Sequence, residues 1–172
     1  MLNPKMQEAL NQQINAELFS EYLYLSMAAY FEAEGFKGMA QWMRIQADEE
    51  RMHALKIFDY VYDRNSRVTL TQIEAPKTQW NSPLDAFEDA YKHEQKVSGL
   101  INELSNLALA EKDHMTHQFL EWFTAEQVEE EATASAIVDQ LKLVGDHGMA
   151  LYMIDDKLSQ RQPAAVPAAD AT

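Results

Sequence analysis

The chain has no cysteine among its 172 residues. That excludes a disulfide framework and leaves no thiolate to bind a metal. Glycine and proline are scarce, five of each, and two of the prolines fall in the last ten residues. So few breakers over such a length favour long helices. No uninterrupted run of about 18 apolar residues occurs, so no segment is expected to span a membrane. The opening "MLNPKMQEAL" lacks the apolar stretch of a secretory signal, and the expectation is a cytoplasmic protein. Basic residues are in short supply: 14 Lys and Arg against 28 Asp and Glu give a formal charge of −14. The basic footprint that nucleic acid needs is missing, so no nucleic-acid partner is expected. An acidic balance favours attraction of cations instead. The hydrophobic content of 47% suits one domain with a sizeable core.

Five helical segments can be marked off. Asn3-Pro4 gives an N-cap followed by proline at the first helical position. Leu10, Ile14, Glu17, Tyr24, Ala28 and Phe31 then recur on one face, and Gly35 ends the helix. The second helix starts near Gly38 and runs to about Asn65, with Trp42, Gln46, Glu50, His53, Ile57 and Tyr60 in line. From Ser66 to Asn81 the pattern breaks. "RVTLTQIEAP" alternates briefly, but its isolation and Pro76 make it an extended crossover, not a sheet. Ser82-Pro83 repeats the cap signal, and Leu84, Phe87, Tyr91, Glu94, Ser98 and Ile101 follow to about Ala110. Asp113 caps a fourth helix with Phe119, Phe123, Gln127, Glu130, Ala134, Ile137 and Leu141 on its stripe, ending at Gly145. A shorter apolar helix runs from about Asp146 to Leu158, and the Pro/Ala-rich tail is expected to be disordered.

The short connections make helices one and two, and three and four, antiparallel neighbours. A helix of about 28 residues is about 42 Å long. Some 16 extended residues at roughly 3.3 Å each span that length. The second and third helices can therefore run parallel. The expected fold is all-α: a four-helix bundle with one long crossover, the ferritin-like topology, plus a short fifth C-terminal helix.

Each long helix carries a polar group on its apolar stripe: Glu17, then Glu50 with His53, then Glu94, then Gln127 with Glu130. Burying one carboxylate costs hydration free energy, and four in one core also repel. They must be protonated, or cations must neutralise them. Carboxylates with one imidazole suit iron or manganese, and also accept zinc. Glu50 and His53 lie at i,i+3 and share a face. Glu-x-x-His alone occurs often by chance; the coincidence across four helices carries the reading. Tyr24 lies two turns beyond Glu17 on the same face, where its phenol can hydrogen-bond a ligand carboxylate or supply an electron. Trp122, beside Phe123, reads equally as core. His114 and His117 read as a surface pair, His93 points about 100° away from Glu94, and His147 between two glycines reads as structural.

This arrangement is the one that ferritin-like di-iron carboxylate proteins share. More narrowly, "NAELFSEYLY", "QADEERMHA", "HEQKVSGLINEL", "FLEWFTAEQVEEE" and "GMALYMIDDKLS" resemble the prokaryotic non-haem ferritins. The resemblance covers roughly residues 1–160, taken as a ferritin-like di-iron domain, and leaves 161–172 as the tail. It implies one iron on Glu17, Glu50 and His53, and a second on Glu50, Glu94 and Glu130, with Glu50 bridging and Gln127 alongside. It further implies a third iron on Glu49, Glu126, Glu129 and Glu130; on the residues alone, the first three read as a solvated acidic face. The implied activity is ferroxidase: Fe²⁺ oxidised by O₂ or H₂O₂, then stored as ferric mineral inside a shell of 24 subunits. Tyr24 is expected to take part.

The sequence also departs from relatives of that fold. Bacterioferritins and rubrerythrins carry a second Glu-x-x-His on the fourth helix, where this chain has Gln127 and Glu130. An amide is no second anionic bridge, so the site is expected to be asymmetric and to pass iron through instead of keeping it. Bacterioferritins bind haem with a Met directly after the second-helix ligand; here that position is Arg51, with Met52 one step on, so no haem is expected. The alternative is a di-iron enzyme that activates oxygen for an organic substrate. It would need an apolar channel and a permanent metal pair, and Gln127 speaks against it. A subunit that only stores, without fast oxidation, is disfavoured by the intact ligand set.

Overall fold

The computed structural model describes residues 1–163 as five helices: α1 (Pro4–Glu34), α2 (Lys37–Asp63), α3 (Pro83–Ala110), α4 (His114–Val144) and α5 (Gly148–Leu158). The expected boundaries hold because their capping chemistry is local. Asn3 accepts from the Met6 N–H at 2.8 Å, with Pro4 next to it. Ser82 accepts from the Asp85 N–H at 3.1 Å, and Asp113 from the Thr116 N–H at 3.1 Å. Gly35 ends α1 at φ 87°, a left-handed conformation that glycine adopts without strain.

The N-terminus of α2 is capped from outside the bundle. No side chain of its own N-cap residue, Phe36, can do so; Asp155 of α5 accepts from the Met39 N–H at 2.8 Å. The approach needs a glycine: a Cβ on Gly38 would lie 1.7 Å from the Asp155 carbonyl oxygen. α5 is thereby fixed across the start of α2.

The crossover, residues 64–82, contains no strand and runs along the outer face of α1. The polar residues of that face serve its backbone. Asn11 Oδ1 accepts from the Thr69 N–H at 3.1 Å, Asn15 donates to Gln72 O at 3.1 Å, and Ser26 donates to Lys77 O at 2.7 Å. Trp80 closes the run against Tyr30, with ring centres 5.4 Å apart. The segment thus travels from the start of α1 to its end, which makes α2 and α3 parallel.

Two apolar clusters fill the bundle. One, around Tyr24, Phe31, Met39, Trp42, Phe87 and Leu141, takes in Ile154 and Leu158 of α5. The other, at the opposite end, gathers Met6, Leu10, Ile57, Ile101, Leu120 and Phe123. Glu17, Gln46, Glu50, His53, Glu94 and Gln127 are buried between them. The core is therefore two apolar plugs with a polar layer at mid-height.

Arg161, the first residue of the expected tail, lies against α2. It donates to Gln46 Oε1 at 2.8 Å and sits 4.4 Å from the centre of the Trp42 ring. Residues 164–172 of that tail lie outside the described residues.

Candidate metal centre

The layer is built by helical repeat. Glu17 from α1 and Glu50 from α2 are each 1% exposed, and His53, one turn on, is 2% exposed. The ligand atoms of these three residues lie within 4.8 Å of one another, and His53 Nδ1 is 3.6 Å from Glu50 Oε2. Glu17 Oε1 accepts from Gln13 Nε2 at 2.8 Å. Its other oxygen, and both oxygens of Glu50, are buried with no hydrogen-bond partner among the described residues. Buried carboxylate oxygens are otherwise almost always satisfied, because an unmet one forfeits its hydration. Three together beside an imidazole can hold a divalent cation.

The other half of the layer is satisfied differently. Tyr24 donates its hydroxyl to Glu94 Oε1. Gln127 Nε2 donates to Glu94 Oε2 at 3.2 Å, and Gln46 Nε2 donates to Glu130 Oε2 at 2.7 Å. A phenol and two amides occupy oxygens that the opposite half leaves open. The centre is asymmetric in its hydrogen bonding as well as in its ligand types.

The electrostatics follow from burial. Desolvation, then the neighbouring charge of Glu50, pushes the Glu17 carboxyl up to about 8. Glu50 is held well above the ordinary carboxylate range by burial first, then by Glu94 and Glu130. Burial raises Glu130 to about 7, with the charge of Glu94 adding to it and the Gln46 hydrogen bond opposing it. Glu94 is raised by burial, against the pull of its bonds from Tyr24 and Gln127. Burial also holds the Tyr24 phenol well above its usual value. Without a cation the Glu17 carboxyl keeps its proton near neutral pH; a bound cation displaces it.

Glu49, Glu126 and Glu129 are grouped as well. With Met52, His53, Glu130 and Arg161 they line a cavity of about 170 Å³ that reaches the layer from outside. Glu49 and Glu126 are half-buried, and Glu129 is exposed. The cavity is not a purely acidic face, because Glu49 is ion-paired with Arg161.

Several partners escaped the sequence reading. Gln13 carries a signal, four residues before Glu17, and Gln46 was on the stripe without a role. Arg161 had none, being assigned to the tail. His93 does turn away from the layer: it is half-buried, with Nε2 2.8 Å from Ser20 Oγ. Trp122 stands edge-on to His53, ring centres 5.4 Å apart. His117 meets Ser105 at 3.0 Å, while His114 is exposed.

The chain is similar to known proteins along most of its length. The ferritin-like domain model matches residues 7–144. The chain is 47% identical to the bacterial non-heme ferritin of Bacteroides fragilis (strain 638R), over 94% of this chain and 100% of that one. It is 40% identical to the bacterial non-heme ferritin of Escherichia coli O6:H1, over 92% of this chain and 96% of that one. Among solved structures, the open pore ferritin of the archaeon Archaeoglobus fulgidus superposes with a TM-score of 0.93 at 53% identity, covering 94% of this chain and 100% of that one. A family match over most of the chain, with relatives of this identity along nearly their full length, establishes that the chain belongs to the ferritin family.

Proposed function

We propose that this protein stores iron and oxidises it on the way in, taking up Fe²⁺ at the mid-bundle layer and passing Fe³⁺ to a mineral inside a hollow shell. The observation that carries the reading is the set of three unpaired, buried oxygens on Glu17 and Glu50 beside His53. One Fe²⁺ binds Glu17, Glu50 and His53. A second binds Glu50, Glu94 and Glu130, with Glu50 between the two ions. The first half fills more readily, since three of its four carboxylate oxygens are unpaired, whereas in the second the ion competes with hydrogen bonds from Tyr24, Gln127 and Gln46.

Dioxygen or peroxide takes one electron from each Fe²⁺. Carboxylates favour the product, because hard anionic oxygen stabilises the higher charge. Tyr24 positions Glu94 through its hydroxyl. Gln127 brings no charge, so the oxidised pair is held less firmly and moves on. The way out is the cavity lined by Glu49, Glu126 and Glu129. Its acidic lining suits cations and offers no apolar channel for an organic substrate, which disfavours the oxygen-activating alternative.

The family resemblance extends the proposal to a 24-subunit shell. Met149, Tyr152 and Met153 of α5 are each at least 65% exposed in the single chain, an apolar face that fits burial against neighbouring copies. No helix among the described residues is long and apolar enough to cross a membrane. A cytoplasmic location completes the proposal.

The test adds Fe²⁺ to apoprotein in air and follows ferric absorbance, particle size and iron content. Rapid oxidation and a large particle holding far more iron than two ions per chain are expected. A small particle that keeps its two ions and builds no mineral would sink the storage reading. Glu50→Ala should lose fast oxidation; a parental rate in that variant would remove the layer from the reaction.

A further inference from the structure

Arg161, beyond the end of α5, is anchored to α2 by several contacts. Its guanidinium lies 4.4 Å from the centre of the Trp42 ring. It donates to Trp42 O at 3.4 Å and to Gln46 Oε1 at 2.8 Å, and it is ion-paired with Glu49. Its side chain is 20% exposed and that of Glu49 12%, so the pair is largely withdrawn from water. A pair so placed is screened less than a surface one.

Two consequences follow from what a guanidinium can do. It carries a permanent positive charge and only donates. Within the acidic cavity it therefore holds Glu49 in competition with any metal ion that enters. It also fixes the amide of Gln46: the oxygen must face Arg161, so the N–H₂ must face Glu130, where Nε2 meets Oε2 at 2.7 Å. One cation on the C-terminal segment thus reaches both the cavity and the layer.

We infer that Arg161 is a positioning residue and resident counter-cation of the acidic cavity, which keeps that cavity's grip on iron weak and so sets the rate at which iron leaves the centre. The inference rests on the proposed function for the direction of iron movement. Its geometric part, competition between Arg161 and a divalent cation for Glu49, stands apart from the oxidation chemistry.

The experiment compares the full-length parental protein with R161M, R161Q and R161K. R161M keeps an unbranched stem over Trp42 without the charge; R161Q guards against a packing defect in R161M. Each is titrated with Zn²⁺, which has no redox chemistry, and anaerobically with Fe²⁺. Each is then given successive small additions of Fe²⁺ in air. In R161M and R161Q a third ion per chain should bind about fivefold tighter relative to the first two, the worth of one partly buried ion pair. Recovery of oxidation between additions should slow by about the same factor, and R161K should restore both toward parental. A third-ion affinity unchanged in both neutral variants would overturn the inference. So would an equal rise for all three ions, or an R161K that matches R161M. If even the parental protein fails to oxidise Fe²⁺, the proposed function falls, and the Zn²⁺ titration still decides for or against Arg161.

Discussion

Replacing Glu17 by Gln should make the metal-free protein more stable while weakening its hold on iron. The folded state keeps the Glu17 carboxyl protonated up to about 8, against an ordinary value of 4.5. Between those values the unfolded chain releases a proton that the folded chain retains, so the parental protein loses stability as pH rises through that window. At pH 7.5 the penalty is about 4 kcal/mol, and at pH 5 about 1 kcal/mol, from about 1.36 kcal/mol per pH unit. Gln carries no such penalty. Its oxygen can still accept from Gln13, and its N–H₂ faces the unpaired oxygens of Glu50.

Allowing for relaxation around the amide, the gain at pH 7.5 should be about 2–4 kcal/mol. For a chain of this size that raises Tm by about 5–15 °C. The assay is thermal unfolding of chelator-treated protein at matched concentration, since assembly makes Tm concentration-dependent. Parental and variant should differ at pH 7.5 and nearly coincide at pH 5. Saturating Zn²⁺ should reverse the order, because the parental site gains a charged ligand the variant lacks. A variant less stable than the parent at pH 7.5, or a gap that does not shrink at pH 5, would refute the claim that an ionisable, desolvated carboxyl is the cause.

Other expectations are more local. Iron affinity should rise with pH between about 6 and 8, as Glu17 and Glu130 must lose protons that burial retains up to about 8 and about 7; calorimetry in buffers of different ionisation enthalpy would count those protons. Tyr24→Phe removes a donor that competes with the second ion for Glu94 Oε1, and should raise the affinity for that ion by about fivefold to tenfold, from about 1–1.5 kcal/mol per hydrogen bond, read by anaerobic titration. Gly38→Ala places a methyl against the Asp155 carbonyl and should cost at least about 1–3 kcal/mol, loosening α5; thermal unfolding and hydrogen exchange of the Met39 amide would show it. Arg64→Ala removes two bonds of 3.1 Å to Asp113, which still accepts from Thr116, and should cost about 1–2 kcal/mol in unfolding free energy with no change in iron stoichiometry.

Much of this architecture was legible because its determinants are short-range. Asn3-Pro4, Ser82-Pro83 and Asp113 announce helix starts within four residues, and Gly35 announces an end. The stripes placed Glu17, Glu50, His53 and Glu94 in the core because helical periodicity is blind to polarity: a carboxylate among apolar residues stands out. What escaped depends on distant partners. Asp155 caps a helix that begins 118 residues before it, Lys37 to Asp155, and nothing near Phe36 signals that. The crossover's docking uses Asn11, Asn15 and Ser26, which read as ordinary surface residues of α1. Arg161 follows the last helix and precedes Pro163, so composition placed it in the tail. Its role depends on where α5 lands, which no local pattern encodes.

The same asymmetry runs from stability to function. Two apolar plugs clamp the four helices above and below the polar layer, so the layer can tolerate carboxylates that oppose folding when empty. Its open half, Glu17 with Glu50 and His53, recovers that cost only when a cation arrives. Its bonded half, Glu94 and Glu130, already has donors in Tyr24, Gln127 and Gln46, so a second cation gains less there. A graded series results: strong demand on the α1 side, weaker demand across the layer, and in the cavity beyond a carboxylate, Glu49, whose counter-charge is already in place. Under the proposed function, two ions that gain charge on oxidation repel each other across Glu50, and release is easiest on the side whose carboxylates already have partners.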